Sequence, residues 1–457
     1  MPAVMTQVAW QELAEIVGKE HLRPASPADA IDGIVPQMVA EPGTAEDLAR
    51  ALRWAHDAGL KVAPRGGATK LEWGNPPAAC DLVLSTGRLN RVLEHAWADM
   101  TVIVEAGCRV ADLQKTLAVH GQRLALDPLW PEHATIGGIL STNDSGSLRL
   151  RYGSLRDLII GITVALPDGT LAKSGGKVVK NVAGYDLSKL FTGAQGTLGV
   201  IVQAIFRLHP LPRESRSLSF RGTPQSLNQL LLAIHASKLT PTGLQLRAGQ
   251  GSAQLDVRLD GTSAGIEAQV KQLQQIAGSV VSADAPVNVW EEREQIWNGA
   301  SPALMAKFSV LPSEIGAACA RVEQAAGAQS LAWKVVAQSV GVGYVRLESI
   351  HRADRKQAYA DQADDSEAPE NQARENQAHE NEARENQALR AALMSLRDEI
   401  AETKTGGTIV VLACPAAVKR GLDAWGPPSN AQPLMIRIKQ RFDPDGTLNP
   451  GRFVGGI

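Results

Sequence analysis

The chain has 457 residues, with 46 Lys and Arg against 48 Asp and Glu and a net charge of -2. That balance leaves no electrostatic footprint for nucleic acid or for an acidic membrane surface. No apolar run reaches the about 20 residues that cross a bilayer, and the length suits two or three domains.

The opening MPAVMTQVAWQEL lacks the basic and then apolar order of a secretory signal. Trp10, Leu13, Ile16 and Val17 instead space an amphipathic helix. From Met38 the pattern reads strand, helix, strand. Thr44 is a natural N-cap, with Glu46 and Asp47 favouring the helix dipole. Leu48, Leu52, Ala55 and Ala58 form the buried stripe, and Gly59 ends the helix. The short strand KVAP then delivers the loop PRGGAT, residues 64–69. Consecutive N–H groups beside a guanidinium suit a pyrophosphate. The loop is neither GxGxxG nor a Walker A sequence, and RGG alone is a weak signal. Strands follow at 81–85, 91–95 and 101–106, then a helix at 109–118 with Val110, Leu113, Leu117 and Ala118 facing the core.

Residues 127–207 are the organising stretch. Gly137, Gly138, Gly146, Gly153, Gly184, Gly193, Gly196 and Gly199 recur between short apolar runs such as ITVAL and VIVQAIF, which read as buried strands. Any one of these glycines can be a simple turn; the array as a whole points to a backbone that must approach a ligand closely.

From Ser215 a second domain begins. Strands and helices alternate as two β-α-β-β-α sets, with helices expected at 224–237, 264–276, 313–326 and 389–403. A paired set of this kind suggests a broad antiparallel sheet with helices on one side. Between them, at about 355–388, the unit ENQAR, ENQAH, ENEAR, ENQAL repeats. With alanine as its only apolar residue it cannot offset its ordering entropy, so a disordered, solvent-exposed insert is expected, with a transient charged helix as the alternative. The end reads as a helix from Ile436 to Phe442 and then turns, DPDGTLNPG.

The ordered motifs PRGGAT, VIVEAGCRVADL, ATIGGILSTNDSG, RYGSLRDLIIGITVALPDGT, GYDLSKLFTGAQGTLGVI and FDPDGTLNPGRF resemble the FAD-linked oxidases of the vanillyl-alcohol oxidase / p-cresol methylhydroxylase (PCMH-type) superfamily. Within it the likeness is to the FAD-binding E subunits of glycolate oxidases, and it covers nearly the whole chain outside the insert. The resemblance implies an α+β fold: a PCMH-type FAD-binding domain of two α+β subdomains at 1–214, an α+β cap with a mainly antiparallel sheet at 215–425, and a segment at 426–457 that packs back on the first domain. It implies noncovalent FAD, since Thr69 stands where some members carry a tethering histidine. Carried over by motif, Arg65, Gly66, Gly67, Ala68 and Thr69 hold the pyrophosphate. Thr135, Gly137, Gly138, Ser141 and Thr142 line the pyrophosphate and flavin side, with Ser145 and Gly146 closing that loop. Tyr152 and Gly153 lie along the cofactor, and Gly199, Val200 and Ile201 meet the adenine–ribose end. One or two of Arg437, Lys439, Arg441 and Arg452 are expected to face it.

The chemistry is less legible. Oxidising a 2-hydroxy acid needs the substrate C–H at the flavin, a base, and cations for the carboxylate. The HxGDGNxH-like segment of related catalytic subunits is absent, so no base and no metal are assigned; His133, Lys180 and Tyr185 are the remaining candidates, and His351 stands alone. Cys80, Cys108, Cys319 and Cys414 are isolated, which fits a reducing cytoplasm and no cluster or structural zinc. The resemblance therefore implies an FAD-binding subunit of a complex that oxidises glycolate to glyoxylate, with a catalytic FAD subunit and an iron–sulfur subunit as partners. A self-sufficient 2-hydroxy-acid dehydrogenase and a non-catalytic flavin-binding scaffold remain the alternatives.

Overall fold

The computed structural model describes residues 7–177, 186–299, 303–350, 368–403 and 406–457. The chain divides into two compact units, Met1–Pro212 with Pro427–Ile457, and Arg213–Gly426.

Unit 1 contains two larger sheets and a two-stranded pairing of Gln122–Arg123 with His209–Pro210. In the first, of four strands, Met38–Ala40 and Val62–Arg65 both run parallel to Leu82–Ser85, and Leu22–Pro24 closes the edge. The parallel pairing requires a crossover, which helix Ala45–Asp57 supplies. The Thr44 hydroxyl accepts the Asp47 N–H at 3.0 Å, capping that helix as its sequence predicts. Leu48, Ala51, Leu52 and Ala55 are fully buried against the sheet. The second sheet is antiparallel, in the order Val92–Ala96, Thr101–Glu105, Val200–Arg207, Ile159–Ala165, Leu171–Gly175. Its core takes in Val102, Val104, Leu113, Leu117, Ile136, Ile139 and Phe206. These are the two α+β subdomains expected. The tail returns to the first sheet: Val62 N–H donates to the Thr447 carbonyl at 2.7 Å, and Asn449 N–H to that of Val62 at 2.9 Å.

Unit 2 is one eight-stranded antiparallel sheet, ordered Ser282–Asp284, Glu214–Gly222, Ser252–Gly261, Gly243–Gly249, Leu331–Gln338, Val342–Ser349, Ala303–Ser309, Thr408–Ala413. Helices Pro224–Ala236, Ser263–Ala277 and Ile315–Ala328 pack with it. Side chains alternate along the strands. Leu244 and Leu246 are fully buried, while Gln245 and Arg247 between them bond to Asp256 at 3.0 and 2.7 Å.

Two expectations need correction. The helix expected at 389–403 runs Ala368–Ala401, so it takes in the charged repeats instead of starting at Leu389. Leu389, Leu393, Leu396 and Ile400 are buried and anchor its end, and propagation through alanines with Glu and Arg four apart, as in Glu380–Arg384, costs little once a helix is nucleated. The tail helix begins at Gln432, four residues early, because Pro433 fits its first turn. No described helix is long and apolar enough to cross a membrane.

Candidate functional site

The loop after strand Val62–Arg65 lies directly on the loop that carries Ala134 and Thr135. A Cβ placed on Gly66 would stand 2.1 Å from the Thr135 Oγ1, and one on Gly67 only 1.8 Å from the His133 carbonyl oxygen. Only residues without side chains permit this approach. The two glycine sets, far apart in sequence, thereby line one cleft.

Arg65, Gly66, Gly67, Ala68, Thr69, Thr135, Gly137, Gly138, Ser141, Thr142, Gly199, Val200 and Ile201 all line it. The backbone N–H groups of Gly66, Gly67, Ala68 and Thr69 donate to no described group. Four successive donors without an acceptor make an anion cradle. Thr135 is already committed, its hydroxyl accepting the Gly138 N–H at 3.3 Å. Just beyond Ile201 the pairing of its strand slips by one residue, a bulge of the kind that re-aims chain ends beside sites. Backbone strain gathers here too: Ala68, Gln195 and Asn449, all at the cleft, have positive φ of 59°, 54° and 44°.

Arg65 lines the cleft and is also held by a carboxylate. Its Nη1 donates to Asp29 at 2.7 Å, and Arg23 donates to both oxygens of the same carboxylate. Arg23 and, less strongly, Arg65 hold the buried Asp29 well below the usual carboxylate range against the opposing effect of burial. Two other cations line the cleft. Arg452, almost fully buried, donates to the carbonyls of Leu71 and Trp73, the latter at 2.8 Å; burial lowers its pKa, with Asp32 opposing. The Lys70 Nζ lies 3.3 Å from Asp144 and 3.3 Å from the Leu129 carbonyl, over the rings of Trp73 and Trp130. This buried pair ties the first glycine loop to the segment after the second.

Sequence reasoning passed over Lys70, Thr86, Gln195 and Asn449, and left Arg452 as one of four tail cations. The Asn449 amide donates to the Gln195 carbonyl at 2.8 Å, while its Oδ1 is buried without a partner among the described residues. The signal for it was FDPDGTLNPGRF itself, a segment expected to pack back on the first domain but read, apart from its cations, only as turns. Lys439 is a structural clamp, donating to the carbonyls of Thr197 and Leu448 and to Asp443.

Four expected residues lie away from the cleft. Ser145 and Gly146 belong to a turn wrapped on Asp127, which accepts from the Ser147 N–H and hydroxyl, both at 2.8 Å; a Cβ on Gly146 would meet that carboxylate at 2.3 Å. Tyr152 accepts from Arg123 at 2.9 Å and packs on His209. Gly153 ends helix Arg149–Tyr152 with φ of 85°. His133 is exposed and lines a second pocket, with Arg109 and Asp112, on the other side of Gly66 and Gly67. Lys180, Tyr185 and His351 lie outside the described residues.

Residues 36–175 match the model of the FAD binding domain family. The chain is 33% identical over 212 residues to glycolate oxidase subunit GlcD of Bacillus subtilis, which covers 46% of this chain and 45% of that one. It is 35% identical over 181 residues to a mitochondrial D-lactate dehydrogenase [cytochrome] of Arabidopsis thaliana, covering 40% and 32%. Against a mitochondrial D-2-hydroxyglutarate dehydrogenase of Bos taurus it is 35% identical over 188 residues, covering 41% and 34%. The chain thus spans less than half the length of each of these relatives. Over its whole length the fold is similar to p-cresol methylhydroxylase with substrate bound (TM-score 0.73, 14% identity, 99% of this chain and 98% of that one). It is similar also to alkyldihydroxyacetonephosphate synthase (TM-score 0.68, 16% identity, 98% and 85%). The chain therefore carries an FAD-binding domain in the PCMH-type fold.

Proposed function

With an FAD-binding domain of this fold as the premise, we propose that the chain is an FAD-dependent oxidoreductase, a subunit of a complex that oxidises a small 2-hydroxy acid, glycolate to glyoxylate. The observation that carries the reading is the convergence of Gly67 and Gly138 on one cleft floored by unpaired N–H groups. The residues fit a dinucleotide diphosphate. The amides of residues 66–69 would hold its oxygens, Thr135, Gly137, Gly138, Ser141 and Thr142 the side toward the flavin, and Gly199, Val200 and Ile201 the adenine–ribose end. Arg452 and Lys70 would add positive potential at the anion. Bound FAD supplies the acceptor for a hydride from the substrate carbon. The chain's own contribution is to bind and orient that cofactor, since among the described residues none that lines the cleft presents an imidazole or a carboxylate as base. The proton-accepting group then belongs to a catalytic flavoprotein partner, and an iron–sulfur subunit would carry electrons onward. Unit 2 would be the cap.

The test is spectroscopic. The purified chain should be yellow or become so with added FAD. Anaerobic glycolate or D-lactate should leave it oxidised until the partner subunits are added. Rapid bleaching of the chain alone would favour a self-sufficient dehydrogenase, and protein that takes up no FAD would overturn the reading.

A further inference from the structure

The loop at 192–199 is a wall with two faces. One face gives Gln195, Gly196 and Gly199 to the cleft. The other gives Ala194, Thr197 and Leu198 to an apolar groove of about 250 Å³, whose far side is Leu434, Met435 and Ile438 of helix Gln432–Phe442. That helix has an apolar stripe at Ala431, Leu434, Met435 and Ile438, the spacing of a core-facing surface. Yet none of its residues is fully buried, and Leu434 is 53% exposed.

The rim of the groove is cationic. Arg437 and Arg441 follow Leu434 at i+3 and i+7, along the edge of the stripe. Among the described residues their side chains make no ion pair or hydrogen bond. Arg156, on the opposite wall, donates to the Thr192 carbonyl at 3.1 Å. The nearby carboxylates are engaged: Asp186 with Lys189 at 2.9 Å, Asp443 with Lys439 at 2.5 Å, and Asp157 with Ser154 in place of the neighbouring Arg156. An occupant must therefore bring apolar side chains for the floor and carboxylates for the three arginines.

We propose that the groove receives an apolar segment bearing carboxylates from the catalytic flavoprotein partner, which docks on the outer face of the same loop that walls the cleft. This rests on the complex-subunit reading above. Burying an apolar stripe ringed by charge is how helix-in-groove recognition obtains both affinity and register.

The experiment co-expresses the full chain with the catalytic flavoprotein and iron–sulfur subunits and measures their co-purification. Leu434→Glu, and separately the pair Arg437→Glu and Arg441→Glu, should each reduce recovered partner at least tenfold. Each should keep the FAD absorbance and melting temperature of the isolated chain, because all three residues are exposed. Wild-type binding should weaken as salt rises. Variants that retain partner like wild type would overturn the groove assignment and leave the complex reading standing. A wild-type chain that forms a homodimer sensitive to Leu434→Glu would identify a second copy as the occupant instead. A wild-type chain that recovers no partner at all would remove both the complex and the docking site.

Discussion

Replacing Gly67 by alanine is the sharpest probe of the cleft. The new Cβ would sit 1.8 Å from the His133 carbonyl oxygen, where ordinary contact begins at 3.4 Å. One of the two loops must therefore yield by the difference, 3.4 minus 1.8, or about 1.6 Å, and neither can do so by rotating a side chain, since the atom struck is backbone. A displacement of that size takes at least one amide of the 66–69 cradle out of hydrogen-bond range of the diphosphate. A hydrogen bond to a charged group contributes about 1.5–3 kcal/mol, so FAD should bind about 10- to 150-fold more weakly. Fluorescence quenching of FAD titrated with apoprotein measures this directly. Gly327→Ala, in helix Ile315–Ala328 and outside the cleft, is the control: nothing lies within 4 Å of its Cβ, and it should change affinity by less than about threefold, under about 0.7 kcal/mol. If Gly67→Ala bound FAD like wild type, the cradle would not be where the diphosphate sits.

The remaining predictions concern the groups around the cleft. Lys70→Met should destabilise the protein by about 3–5 kcal/mol in thermal or urea unfolding, because it leaves Asp144 charged and buried; adding Asp144→Leu should restore a large part, and no restoration would argue against a coupled pair. Asp29→Asn removes the negative charge and one of the two acceptor oxygens shared by Arg23 and Arg65 and should cost about 2–3 kcal/mol at neutral pH. Because the folded carboxylate titrates below its unfolded value, wild type holds this stability above about pH 4 and loses it as the pH falls further, so the variant should lose less on acidification; parallel acid-unfolding curves would refute the assignment. Burial pushes the thiols of Cys80 and Cys108 up to about 11 and that of Cys319 up to about 12, whereas Cys414 is only half-buried. Native protein treated with iodoacetamide at pH 8 should therefore carry its label on Cys414, read by peptide mass spectrometry.

Much of the molecule is written locally. The Thr44 cap, the alternating strands of unit 2 and the glycines of the two loops each announce themselves within a few residues, because hydrogen-bond geometry and side-chain periodicity act over that range. The resemblance carried by the ordered motifs reached further and anticipated both the two-subdomain architecture and the cleft. Where inference stopped, the cause was partner choice at long range. Arg65 reads as a phosphate ligand beside two glycines, and nothing in its motif announces that Asp29, 36 positions earlier, holds its Nη1. Asn449 sits in a run of turn residues with no signal of its own, and Arg452 is one of four tail cations; they arrive at the cleft because the tail bonds to strand Val62–Arg65, nearly 400 residues upstream. The charged repeats look unable to fold alone, and they extend a helix whose last turns are buried by other elements. A residue's own type sets what it can bond to. Which group it meets depends on segments brought together only when the apolar faces close, and that was decided by the tertiary structure.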